Sequence, residues 1–150
     1  MSTWFALLLV VHISLAVALL LPSVLLPFVL RRSDGAPGTP TRALMALQGT
    51  GTVVIAAGLA LTGAGLLWIL GPELLTQPWL LTALALYAVN LVVAAVVSRP
   101  NLRRLAGFGR SGADDETWRR RARRQRYLAY GMASIIGVIG FLMSTKPNLW

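Results

Sequence analysis

The chain has no cysteine, one histidine and only five acidic residues among 150. Without thiols it can form no disulfide, no thiol redox pair and no thiolate metal site. A single histidine is too few for a zinc centre built from protein ligands alone, and four scattered methionines make no soft cluster for copper. Three of the acids, Asp114, Asp115 and Glu116, are adjacent and read as the start of a helix, which leaves no separated carboxylate pair for acid–base chemistry. No Ser/His/Asp set, phosphate loop, dinucleotide fingerprint or HExxH motif occurs. Charge as a whole is scarce, 13% of residues against about 25% in soluble domains.

What fills the chain instead is apolar: 56% of residues are hydrophobic and the mean hydropathy is +0.68. The run from Trp4 to Leu30 holds 27 residues with no acid, Lys or Arg, and His12 is its one ionisable side chain. A helix crosses a bilayer with about 20 apolar residues, so this run spans with length to spare. It has no basic segment ahead of it and exceeds the apolar length of a leader, so it reads as a span, not a cleaved signal. Further spans follow at about 42–70, 78–98 and 117–145. The expectation is an all-α integral membrane bundle of four transmembrane helices in one domain, 1–150, without internal repeats.

The formal charge of +9 invites a nucleic-acid reading, but the placement of the charges opposes it. Thirteen of the fourteen basic residues fall in 31–42 and 99–126, with Lys146 the exception. Clustering in alternate connections is the positive-inside pattern of a multi-pass membrane protein, with both the N-terminus and the C-terminus outside. Trp4, Trp68, Trp79 and Trp150 then fall at the outer interface, and Trp118, Tyr127 and Tyr130 near the inner one, as aromatic belts. The partners implied are the bilayer and anionic lipids at the cytoplasmic face, with no nucleic acid.

Local signals set the expected boundaries. Pro22 and Pro27 each remove a backbone donor from helix 1 and bend its inner half. Segment 31–41, RRSDGAPGTPT, is a turn-rich connector. Helix 2 carries Gly51, Gly58 and Gly65 on one face and Gly49, Ala56 and Gly63 on the other, which suits tight packing on two sides and a central place in the bundle. Gly71-Pro72 stops it, Pro78 opens helix 3, and Arg99-Pro100 ends helix 3. Ala133, Gly137, Gly140 and Ser144 give helix 4 a small-residue stripe of its own.

Two features carry functional weight. The stretch WRRRARRQR at 118–126 places Arg119, Arg120, Arg121, Arg123, Arg124 and Arg126 beside helix 4, for contact with anionic headgroups or as a docking site for a cytoplasmic partner. His12, inside hydrocarbon, is a functional candidate because a polar group there needs a partner. At its depth lie Thr62 on helix 2, Tyr87 on helix 3 and Gly137 to Gly140 on helix 4. Either a hydrogen bond to Tyr87 or Thr62 fixes the packing, or His12 is an axial haem ligand, with the glycines leaving room for a flat macrocycle.

Several residues also bear a resemblance to a known group. His12 followed fifteen residues later by Pro27, the Arg42-Ala43-Leu44-Met45 opening of helix 2, Trp79-Leu80 opening helix 3 and Lys146-Pro147 closing helix 4 resemble small four-helix membrane proteins. These are the HemJ-type protoporphyrinogen oxidases and the CopD copper-resistance domain. The closing GFLMSTKPNLW is similar to an uncharacterised bacterial branch of that group, predicted integral membrane proteins. The resemblance implies a haem-b site with His12 as the first-helix iron ligand; by depth in the span, that iron would be five-coordinate, weakly ligated by Met143, or shared between the His12 residues of two chains in a homodimer. It departs at helix 3, where the HemJ-type W-L-H-x-K reads Trp79-Leu80-Leu81-Thr82-Ala83, removing the His and Lys tied to the oxidase activity. The functional expectation is a haem-binding, redox-associated membrane protein without that oxidase activity; the alternative is a non-catalytic accessory or scaffold subunit of a membrane complex.

Overall fold

The computed structural model describes residues 3–32, 38–107 and 115–147. Every regular element among the described residues is helical, and four helices are long and apolar enough to cross a membrane. They are α1 (Thr3–Arg32), α2 (Thr39–Leu70), α3 (Pro78–Gly107) and α4 (Asp115–Thr145).

Pairwise hydrogen bonds give the packing directions. His12 meets Thr62 and Ser23 meets Gln48, so α1 and α2 run antiparallel. Ser98 and Asn101 both meet Gln125, and Asn101 also reaches the Arg121 carbonyl, so α3 and α4 do the same. With α1 also packed on α4, and α2 meeting α3 mostly near their basic ends, the four helices close into a ring. No helix is central, which corrects the placement expected for helix 2. Its glycines divide unevenly. Gly58, Gly63 and Gly65 all face side chains of α1, namely Leu15, His12 and Leu8, while Gly49 approaches Leu102 of α3.

One end of the ring is basic, carrying Arg31, Arg42, Arg99 and the arginines of early α4; the opposite end holds Trp4, Trp68, Trp79 and Lys146. The two ends are packed differently. The hydrophobic core gathers at the basic end: Leu26 and Leu30 of α1, Met45 of α2, Leu102 and Leu105 of α3, and Trp118 and Ala122 of α4. Between the ends, large apolar side chains such as Val54, Leu61, Val92 and Phe141 face outward. Hydrocarbon rewards that outward display as well as burial, so helices there meet through small residues and hydrogen bonds.

Two helix ends differ by three residues or more from the sequence reading. Helix 2 starts at Thr39, not 42: Pro40 lies in its first turn, where a missing N–H costs nothing, and Arg42 N–H donates to the Gly38 carbonyl at 3.0 Å. Helix 3 does not end at Arg99-Pro100 but runs on to Gly107. A wide π-helical turn at Val93–Ser98 ends two residues before the proline. The wider turn moves the carbonyls that the pyrrolidine ring would otherwise strike. A matching π turn, Leu47–Gly51, interrupts helix 2. Both turns carry inward residues in two successive four-residue steps, Asn90–Ala94–Ser98 and Gln48–Thr52–Ala56, all buried. Over eight residues a regular helix would rotate such a series about 80° off the inner face. The wide turns absorb that drift.

The other signals hold. Gly71 takes a left-handed φ of 101° after Leu70, a conformation open to glycine, and Pro78 begins α3. Helix 4 passes unbroken from its arginine-rich start into its apolar half. Asp114 and Trp150, given capping and belt roles above, lie outside the described residues. Two aromatic assignments are corrected. Trp118 is 5% exposed, a core residue and not a belt residue, and Trp79 is buried beneath the Lys146 ammonium, 6.0 Å from its ring centre.

Candidate functional site

The mid-span polar group is built by α1, α2 and α3. Thr62 is held by its own helix, its hydroxyl 2.9 Å from the Gly58 carbonyl and 3.1 Å from that of Leu59. Those carbonyls only accept, so the single hydroxyl proton points to them and the oxygen's lone pair is left for His12. His12 Nδ1 lies 2.9 Å from that oxygen. The donor is therefore Nδ1–H, and Nε2 is the unprotonated nitrogen of the ring. Gly63 makes the approach possible: a Cβ there would stand 3.2 Å from His12 Cε1. The space that the glycine leaves is occupied by the imidazole itself.

Of the residues expected around His12, the structure brings only Thr62 to it. Tyr87 points to a different partner, donating to the Ala56 carbonyl across α2–α3 at 2.6 Å. Its contact is with backbone, so side-chain chemistry in the sequence gave no hint of it. Met143 is exposed on α4, and Gly137 and Gly140 open outward, with nothing within 4 Å of a Cβ at either. The small stripe of helix 4 thus lies outside the ring and leaves no gap beside His12. Within one chain the space beside Gly63 is filled by the imidazole, so it offers no slot for a macrocycle there, and among the described residues no second ligand is brought to His12. No group of three or more His, Cys, Asp or Glu residues that could hold a metal occurs among the described residues.

A second polar layer, absent from the sequence reading, crosses the bundle toward its basic end. Gln125 lies at the centre of one half, fully buried, donating to Ser98 Oγ at 2.7 Å and accepting from Asn101 Nδ2 at 2.9 Å. Asn101 also donates to the Arg121 carbonyl at 3.3 Å. In the other half, Gln48 donates to Ser23 Oγ at 3.3 Å, and Thr52 donates to the Gln48 carbonyl at 2.6 Å. Gln48 and Ser98 each lie in a π turn, and the two turns touch. A signal for half of this layer exists in the sequence: Trp118, Ala122, Gln125, Ala129 and Met132 recur at helical spacing, so Gln125 sits on a buried face.

The six arginines at 119–126 do not act as one surface. Arg119, Arg120, Arg123 and Arg124 are exposed, while Arg121 and Arg126 are half-buried. Arg120 pairs with Glu116 at 2.6 Å along the helix, an exposed pair of small energetic consequence. Comparison with protein-family models, with curated proteins and with solved structures returned no match.

Proposed function

We propose that this chain is a non-catalytic accessory or scaffold subunit of a bacterial inner-membrane complex. In this reading its basic end is cytoplasmic and both termini are outside. The observation that carries it is the His12–Thr62 hydrogen bond at 2.9 Å. The one side chain suited to cofactor or proton chemistry in the span is engaged in holding two helices together. Tyr87, the other polar candidate at that depth, likewise ties α3 to a backbone carbonyl of α2. The outward face of α4, with Gly137 and Gly140 open, is where a neighbouring transmembrane helix could approach closely. The basic clusters support the orientation.

A second reading keeps haem, and one observation favours it: with Nδ1–H committed to Thr62, Nε2 carries the lone pair an iron needs. Such a haem would be five-coordinate or take its second ligand from another chain. The two readings separate in an absorption spectrum of protein purified in mild detergent from cells grown with a haem precursor. The scaffold reading expects no Soret band and a lower melting temperature for His12→Ala. A Soret band in the wild type that disappears in folded His12→Ala gives the assignment to haem instead.

A further inference from the structure

Between the outer faces of α3 and α4, at the basic end, lies a cleft of 370 Å³ lined by Val96, Val97, Pro100, Asn101, Arg104, Arg121 and Arg124. Three of its seven lining residues are arginines and none is acidic. Its polarity changes along the bundle axis. On α3 the outward stripe reads Val89, Val92, Val96, Pro100, Arg104, steps of three and four that keep one face. The three valines are 52%, 59% and 67% exposed, and Arg104 is exposed beyond them. From Val96 to Arg104 the helix rises about 12 Å. An apolar track therefore leads into a guanidinium-lined mouth over the distance between an acyl chain and its phosphate. The mouth is rigidly based, because Asn101, 7% exposed, bonds both Gln125 and the Arg121 carbonyl. Helix 3 reaches this far by continuing from the π turn through Pro100 to Gly107.

We infer that this cleft is a binding site for one anionic phospholipid, its phosphodiester headgroup held by Arg104, Arg121 and Arg124 and an acyl chain lying along Val96, Val92 and Val89. Charge complementarity selects the headgroup: guanidinium forks match phosphate oxygens, and basic pockets between membrane helices on the cytoplasmic side suit such lipids. The inference rests on the membrane-spanning reading above, but not on whether His12 binds haem.

Native mass spectrometry of the detergent-extracted protein, titrated with phosphatidylglycerol or phosphatidylcholine, tests it. The expected result is a discrete single-lipid adduct for phosphatidylglycerol that survives salt better than any further adducts. Arg104→Gln/Arg124→Gln should weaken that adduct roughly 30-fold, taking ~1 kcal/mol per headgroup cation and 1.4 kcal/mol per decade. Arg119→Gln/Arg123→Gln removes the same charge outside the cleft and should change it little. Equal losses in both double variants, equal retention of phosphatidylcholine, or displacement of the lipid by millimolar inorganic phosphate would each overturn the site. Release of the protein from membranes by salt alone would instead remove the membrane reading on which the site depends.

Discussion

Gly63 and Gly137 are the same residue in the same kind of helix, yet they should answer a methyl group in opposite ways. Alanine is favoured over glycine in a helix by up to about 1 kcal/mol. Gly137→Ala meets nothing within 4 Å and should keep that gain as a raised melting temperature in detergent. Gly63→Ala sets its new Cβ 3.2 Å from His12 Cε1 and must push the ring from Thr62. Its melting temperature should fall below that of Gly137→Ala and, if the hydrogen bond matters to packing, below wild type. A rise in both would mean that the imidazole moves without cost. His12 and Thr62 were legible as a pair because both residues are polar in apolar runs and lie at equal depth. The neighbours were not: spacing shows that Gly137 and Gly140 share a stripe, but not which way that stripe turns in the ring. Tyr87 escaped for another reason, since a backbone carbonyl acceptor has no sequence signature.

The elements were read well where one residue decides an end, and poorly where the end depends on a partner. Gly71 and Pro78 act through their own φ angles, and α2 and α3 stop and start where they stand. Pro100 carries an equally strong signal, but it was overridden. Leu102 and Leu105, at 2% and 0% exposure, give the segment beyond it an apolar stripe that the core at the basic end requires. The π turn that reconciles the two is a tertiary outcome with no motif of its own. Leu105→Ala separates the descriptions. Truncation of a buried Leu should cost about 2–5 kcal/mol, and a connector residue almost nothing. Unfolding in detergent followed by helical circular dichroism, with partly exposed Leu84→Ala as reference, should show the larger loss at Leu105. Equal effects would place residues 99–107 outside the core. Gln125→Leu extends the argument to the polar layer. It takes the donor from Ser98 Oγ and leaves the Asn101 amide with the Arg121 carbonyl alone, and a buried group left unpaired costs about 1–3 kcal/mol.

At the scale of the whole molecule, a ring of four antiparallel helices puts both chain ends on one side, but the packing is indifferent to which side that is. Orientation depends instead on charge. Arg31, Arg42, Arg99, Arg103 and Arg104 join the arginines of α4 at one end, and at the other Lys146 is engaged with Trp79 while Glu73 adds a negative charge. Basic residues resist translocation, so the arginine-bearing end should stay in the cytoplasm. Because the chain has no native cysteine, single substitutions report cleanly. Thr76 and Ala106 are exposed at opposite ends, in the short connection before α3 and in the extension of α3. In intact cells, Thr76→Cys should react with a membrane-impermeant maleimide and Ala106→Cys should react only after permeabilisation. Reversed labelling would invert the protein and put the arginine cleft in the outer leaflet. Headgroup binding could still occur there, but the charge asymmetry would have lost its cause. Labelling of both in intact cells would mean that the helices do not insert as four spans, and the basic-end core would then be the only part of the fold needing no bilayer.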